Sequence, residues 1–207
     1  MEVLENPEVP HGLTAEPGWW ADIEARYATP VRAYHSAAHV LEVLEHWAWV
    51  DANVGWSDRP STWVAILLHD AVYEVGHGDN EARSAELVAP WCARFKVPAV
   101  AARSAELIRL TAHHGRLSRS DVDADAALFL DCDMAILGAE PARFESYCDQ
   151  VRQEYAPIAS PRIFDAGRRQ FLERLLSQPI YLSDAFADRL EDRARANIER
   201  ILDAVAT

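Results

Sequence analysis

The chain has 207 residues, with 33 acidic and 20 basic side chains and a formal net charge of −13. At roughly 150 residues per domain, this length predicts one domain, residues 17–207, preceded by an N-terminal extension, residues 1–16. The acidic excess argues against a nucleic-acid polymer as a partner. No apolar run approaches the ~18 residues of a membrane span, so no membrane association is expected.

The cellular setting is predicted from the cysteines and the N-terminus. The three cysteines form no CxxC pair, and any disulfide would leave one of them over, which fits a reducing cytoplasm. The first residues lack the basic and apolar regions of a signal peptide. The oligomeric state, including a homodimer, is left open by the sequence.

Apolar residues recur with helical spacing along nearly the whole chain, and strict alternation of period two is absent. The sequence therefore predicts an all-α, single-domain helical bundle without a sheet. The predicted helices cover residues 17–28, 36–52, 61–73, 80–95, 98–114, 121–137, 140–155, 161–177 and 184–204.

In helix 36–52, His39 lies on the apolar face with Val43 and Trp47, so it is expected to point towards the core. A single core histidine is usually a structural residue. His35 lies four residues earlier and shares this face if the helix begins early enough.

In helix 61–73, six apolar residues precede His69-Asp70. A carboxylate in a helix that is buried on all sides requires compensation, because its desolvation costs several kcal/mol. A metal cation, a buried arginine or a helix end with local water can supply it. If the helix ends near Tyr73, Asp70 simply faces solvent.

In helix 121–137, Asp131 and Asp133 interrupt a second apolar segment. His113 and His114 end the preceding helix, where the helix dipole favours an imidazolium. Two buried helices with interior acids and a core-facing histidine on a third helix predict one shared site. Imidazole and carboxylate ligands suit a divalent ion such as Mn, Fe, Co, Ni or Zn, and suit Mg less well.

The order His39, His69-Asp70, Asp133 resembles the H…HD…D signature of the HD superfamily of metal-dependent phosphohydrolases. Further segments are similar to a narrower bacterial group of predicted HD-domain phosphohydrolases, and together they run from about residue 20 to 200. These segments are residues 32–35, 69–73, 79–85, 111–113, 130–138, 151–155, 167–168 and 194–197.

The resemblance implies an HD-type fold that binds a divalent metal ion. Its implied ligands are His39, His69, Asp70 and Asp133. Asp133 is preferred over Asp131, which would orient a ligand or lie near the helix surface.

One branch of the superfamily binds a second ion through additional histidines. His113 and His114 match a pair in that branch, whereas its intervening histidine is replaced here by Asn80-Glu81. Glu81 can complete a second site, but the departure favours one ion.

The resemblance also implies hydrolysis of a small phosphorylated molecule, a phosphomonoester or a nucleotide, by metal-activated water. In this interpretation Asp70 orients the water. His35 contacts the phosphate or protonates the leaving group. Glu74, one helical turn beyond Asp70, relays protons, with a solvated acid at a helix end as the equal alternative.

Substrate binding is predicted for Arg32 and Tyr34 at the mouth of the site and for Arg152 and Arg168 in the C-terminal half. All but one of the basic residues are arginines, whose planar guanidinium suits bidentate phosphate binding. For each arginine a surface ion pair is the simpler interpretation.

Two other functions compete with phosphohydrolysis. Some HD-fold proteins are di-iron oxygenases, which a content of two irons per chain would indicate. The second is a metal-stabilised binding protein without turnover.

Overall fold

Helices form nearly all the regular structure of the chain. The computed structural model describes Pro7, Val9, Pro10 and residues 16–204, with Pro98 and Ala204 described by their backbone only. The predicted extension, residues 1–16, lies outside the described residues apart from Pro7, Val9, Pro10 and Glu16.

Within the described ranges there are nine α-helices and no strand, which confirms the all-α prediction. No described helix combines the length and the apolar character of a bilayer span. The helices are α1 (Trp19–Tyr27), α2 (Ala37–Asn53), α3 (Arg59–Leu68), α4 (Asn80–Arg94), α5 (Ala101–Thr111), α6 (Ala124–Met134), α7 (Pro141–Tyr155), α8 (Pro161–Leu176) and α9 (Asp184–Ala204).

The chain divides into two compact units, Met1–Ala112 and His113–Thr207. In the first unit α3 is the central helix and packs against α2, α4 and α5. Every residue from Ser61 to Leu68 is buried, so α3 is covered on all sides as its apolar sequence predicts.

Helix α3 begins earlier and ends earlier than the predicted 61–73. It begins at Arg59 because the Asp58 carboxylate accepts a hydrogen bond from the backbone N–H of Ser61 at 3.1 Å. It ends at Leu68, with His69 as the C-cap. The prediction that Asp70 lies inside a helix is therefore wrong.

Helix α4 provides the reason for this early end. The Ser84 hydroxyl accepts from the N–H of Val72 at 3.0 Å and donates to its carbonyl at 3.2 Å. The Asn80 side-chain amide accepts from the N–H of Glu74 and donates to the Glu74 carbonyl, both at 2.9 Å. Because side chains satisfy these backbone groups, the apolar segment after Asp70 does not continue the helix.

In the second unit α9 packs against α8 and against the 3-10 turn Ala135–Gly138. A Cβ atom at Gly138 would lie 2.7 Å from the Leu190 Cβ and 2.8 Å from the Tyr181 hydroxyl. Glycine is required here by this close approach. The Asn197 amide donates to the carbonyls of Leu137 and Ala139, both at 2.9 Å, and so fixes α9 to the turn.

Candidate metal centre

Three side chains from α2 and the end of α3 converge in the first unit. The Nε2 atoms of His39 and His69 lie 3.1 Å apart. The Asp70 Oδ2 lies 3.2 Å from the His69 Nε2 and 3.7 Å from the His39 Nε2. Both histidines are buried, whereas the Asp70 side chain is 15% exposed. The predicted convergence of these three residues is confirmed.

The three atoms leave room for a transition-metal ion. Given separations of 3.1, 3.2 and 3.7 Å, the point equidistant from them lies about 1.9 Å from each. Bonds from zinc to nitrogen and oxygen ligands are about 2.0 to 2.2 Å long. An ion held near this point would therefore lie within bonding distance of all three atoms.

A backbone carbonyl orients the ring of His69. Its Nδ1 lies 2.8 Å from the carbonyl oxygen of Ile66, one turn back in α3. A carbonyl only accepts hydrogen bonds, so Nδ1 carries a proton, and Nε2 presents a lone pair when the ring is neutral. Metal-binding histidines are generally fixed in this way.

Two buried side chains hold the backbone of Asp70. The Tyr27 hydroxyl accepts from the Asp70 N–H at 3.2 Å, and an Arg32 terminal nitrogen donates to the Asp70 carbonyl at 2.6 Å. Burial raises the pKa of the Tyr27 phenol well above its ordinary value, so the phenol stays neutral. The main chain carrying the carboxylate is thus fixed on both sides of its Cα atom.

Arg32 is buried rather than projecting from the mouth of the site. Besides Asp70, its guanidinium donates to the carbonyls of Ala71 at 3.3 Å and His35 at 3.2 Å. The guanidinium carbon of Arg32 lies 5.4 Å from the centre of the Tyr27 ring. These contacts favour a role in positioning the backbone, and the assignment of Arg32 to phosphate binding stays a prediction.

Aromatic rings border the histidine cluster on the α2 side. Because α2 begins at Ala37, His35 lies just before the helix and does not share its face with His39. The His35 ring nevertheless lies 5.9 Å from that of His39 and stacks on Tyr73 at 3.9 Å. The Tyr34 ring is 4.7 Å from that of His39.

Glu74 does not lie one helical turn beyond Asp70, because α3 has ended before it. Its carboxylate is half-exposed and accepts from Arg83 at 2.6 Å. The hydrogen bond and charge of Arg83 lower the pKa of Glu74. Glu81, in the first turn of α4, is likewise outside the three-residue cluster.

In the second unit, Asp133 lies near the end of α6 and pairs with His114. The Asp133 Oδ2 is 2.8 Å from the His114 Nε2, and both side chains are mostly buried. His113 is exposed. The assignment of Asp133 as a fourth ligand stays a prediction.

Asp131 forms hydrogen bonds with the two residues that precede α9. Its carboxylate accepts from the N–H groups of Leu182 at 2.8 Å and Ser183 at 2.7 Å, and from the Ser183 hydroxyl at 2.6 Å. Burial raises the pKa of Asp131 to about 6, against the lowering effect of these hydrogen bonds. At neutral pH the carboxylate is ionised and has three donors.

Arg152 and Arg168 both line a cavity in the second unit. Arg152 forms an ion pair with Asp165 at 2.7 Å. The Arg168 guanidinium lies over the Tyr147 ring, 4.9 Å from its centre.

A scan against protein-family models finds no match to the chain, and searches of curated proteins and of solved structures find none either. The resemblance to the HD superfamily therefore stays a prediction from the sequence motifs.

Sequence reasoning missed the residues that position the cluster through backbone atoms. Tyr27 binds the N–H of Asp70, while Asn80 and Ser84 bind the loop that follows it. Asn80 and Ser84 lie in the segment 79–85 that carries the resemblance, but neither that segment nor the polarity of these side chains reveals a backbone partner.

Proposed function

We propose that the chain is a cytoplasmic, metal-dependent phosphohydrolase of the HD type that acts on a small phosphorylated molecule. The observation that carries the proposal is the convergence of His39, His69 and Asp70 on one point in the interior of the first unit. The order of these residues in the sequence, and their resemblance to the HD signature, supply the reaction class.

The electrostatics of the cluster favour a cation at this point. With Nδ1 protonated, the Nε2 lone pair of neutral His69 faces the Asp70 carboxylate at 3.2 Å. Two lone pairs at this distance repel each other unless a positive charge lies between them. A divalent ion supplies that charge, and so does a second proton on His69. Metal analysis distinguishes the two.

Two imidazoles and a carboxylate are the ligand set of Mn, Fe, Co, Ni or Zn more than of Mg. The assignment of Asp133 as a fourth ligand rests on the resemblance to the HD signature and stays a prediction. The three hydrogen bonds received by the Asp131 carboxylate favour Asp133 over it, because they already occupy the Asp131 oxygens.

A divalent ion held by these residues would lower the pKa of bound water and polarise a phosphoryl oxygen. The residues of the chain supply the rest. Asp70 orients the water through its fixed backbone. His35, stacked on Tyr73, protonates the leaving group, and Tyr34 borders the substrate. The net charge of −13 favours a small substrate over a nucleic-acid polymer.

Elemental analysis of protein purified without chelator, followed by a phosphate-release panel with added divalent ions, tests the proposal. We expect about one ion per chain, and we expect His39→Ala and Asp70→Ala to lose both the ion and the activity. His77→Ala is the matched control, because His77 is exposed and outside the cluster. It should keep both.

Full metal content in both cluster variants would contradict the ligand assignment. Two irons per chain with an optical signature would support the oxygenase instead. One bound ion without phosphate release across the panel would support a metal-stabilised binding protein.

A further inference from the structure

The second unit contains a cavity of about 120 Å³ between α7, α8 and α9. Helix α7 contributes Cys148 and Arg152, α8 contributes Arg168 and Leu172, and α9 contributes Ile201. This volume is several times the roughly 10 to 15 Å³ that one water needs. It accommodates a small ligand, and all of its lining belongs to the second unit.

Among the described residues that line the cavity, Arg168 has a side-chain nitrogen that the fold does not satisfy. Its guanidinium is hydrogen-bonded to the Tyr147 hydroxyl and the Cys148 sulfur. One terminal nitrogen is buried and has no hydrogen-bond acceptor among the described residues. An unmade hydrogen bond to a buried charged group is more costly than an unmade bond to a neutral group. A ligand oxygen at this nitrogen would remove that cost.

The charges around the cavity favour an anion. Three guanidinium groups line it, from Arg152, Arg168 and Arg169, against the two carboxylates of Asp149 and Asp165. Arg152 is paired with Asp165 at 2.7 Å and Arg169 with Glu173 at 3.3 Å, whereas Arg168 forms no ion pair with a described carboxylate. A local excess of arginine in an acidic molecule attracts anions to that place.

We propose that this cavity is a binding site for a phosphate group, held by Arg168 with Arg152 and Arg169 at its sides. A guanidinium presents parallel N–H donors that match two oxygens of a phosphate. A compact, doubly charged oxyanion suits three guanidinium groups better than a singly charged carboxylate does. The proposed phosphate site is formed by residues of the second unit alone and does not depend on the proposed metal centre.

Isothermal titration calorimetry with inorganic phosphate tests the site. The protein is stripped of metal and desalted, so that phosphate has no ion to bind. We expect saturable binding at one site per chain, and a loss of affinity of at least about tenfold in Arg168→Gln. Arg162→Gln, an exposed arginine of the same helix that does not line the cavity, should bind like the wild type.

Asp70→Asn should also leave phosphate binding unchanged, because its site is independent of the cavity. Loss of binding in Asp70→Asn with retention in Arg168→Gln would overturn the proposal, as would the absence of binding in the wild type. Stronger binding of acetate than of phosphate would overturn the assignment to phosphate.

A second measurement on the wild-type protein does not depend on the folding of any variant. Cys148 lines the cavity and is part-exposed, whereas Cys92 and Cys132 are buried. Saturating phosphate should slow the alkylation of Cys148 by iodoacetamide about tenfold, as measured by peptide mass spectrometry. An unchanged rate at saturating phosphate would show that the anion binds elsewhere.

Discussion

Asp70 has two separate attachments, one for its backbone and one for its carboxylate. The backbone is held by Tyr27 and Arg32, whereas the carboxylate faces His39 and His69. Fixing the backbone reduces the conformational freedom that the carboxylate would lose on binding an ion. The metal affinity of the proposed centre therefore depends on residues outside the three-residue cluster.

Replacing Tyr27 by Phe tests this dependence. The change leaves the Asp70 N–H buried without its acceptor, which costs about 1 to 3 kcal/mol of unfolding free energy. The Asp70 carboxylate also loses its fixed position, so we expect metal affinity to fall about tenfold. Denaturant unfolding of the metal-free protein and competition with a chelator measure the two effects.

Tyr181→Phe is the control for Tyr27→Phe. Tyr181 is also buried, and its hydroxyl donates to the carbonyl of Met134 at 3.4 Å in the second unit. This variant should lose stability and keep the metal affinity of the wild type. Equal metal affinity in both variants would show that Tyr27 supports the fold alone.

At the scale of helices, the start of α8 was predicted correctly, whereas α3, α5 and α6 have other bounds than the predicted ones. Helix α8 begins at Pro161 as predicted, because the Ser160 hydroxyl caps it by accepting from the Ile163 N–H. Helix α3 was predicted too long because the apolar residues continue past Asp70. The hydrogen bonds that hold the following segment come from Ser84 and Asn80 of α4, 12 and 6 residues from their partners, and helical periodicity does not reveal them.

The Asp131 carboxylate of α6 holds the segment that leads into α9. Asp131→Asn replaces one of two accepting oxygens by an NH₂ group, which then faces donors from Leu182 or Ser183. We expect a loss of about 1 to 3 kcal/mol in the free energy of unfolding, measured by urea denaturation at neutral pH. Asp192→Asn, an exposed acid of α9, should change it by less than about 0.5 kcal/mol. Equal stability of the two variants would contradict the role of Asp131.

The candidate site was predictable where its residues themselves carry the chemistry. His39, His69 and Asp70 stand out because polar groups with ligand atoms interrupt apolar segments, and the structure brings them together. The predicted role of Glu74 depended on helical spacing and lost that basis when α3 ended early. Tyr27 was missed because it acts through the backbone of a residue 43 positions away.

For the whole molecule, a bound ion adds stability only to the folded state. Removing metal with a chelator should therefore lower the melting temperature. An ion present at 100 times its dissociation constant adds about 2.7 kcal/mol, which corresponds to about 5 to 10 °C for a chain of this size. Differential scanning calorimetry before and after metal removal, and after reloading, measures the shift.

His39→Ala provides the control for this experiment, because it removes a ligand from the buried cluster. Its melting temperature should be the same with and without chelator. An equal shift in the variant and the wild type would mean that the chelator acts away from the cluster.

The Arg32 contacts determine how a metal ion could be removed from the proposed centre and replaced. A guanidinium keeps its proton at any pH at which proteins are handled, so its bonds to the carbonyls of Asp70 and Ala71 persist in mild acid. Imidazoles, in contrast, release an ion when they become protonated. A brief acid wash should therefore empty the centre while its frame stays assembled, and neutralisation in a chosen metal salt should refill it without refolding.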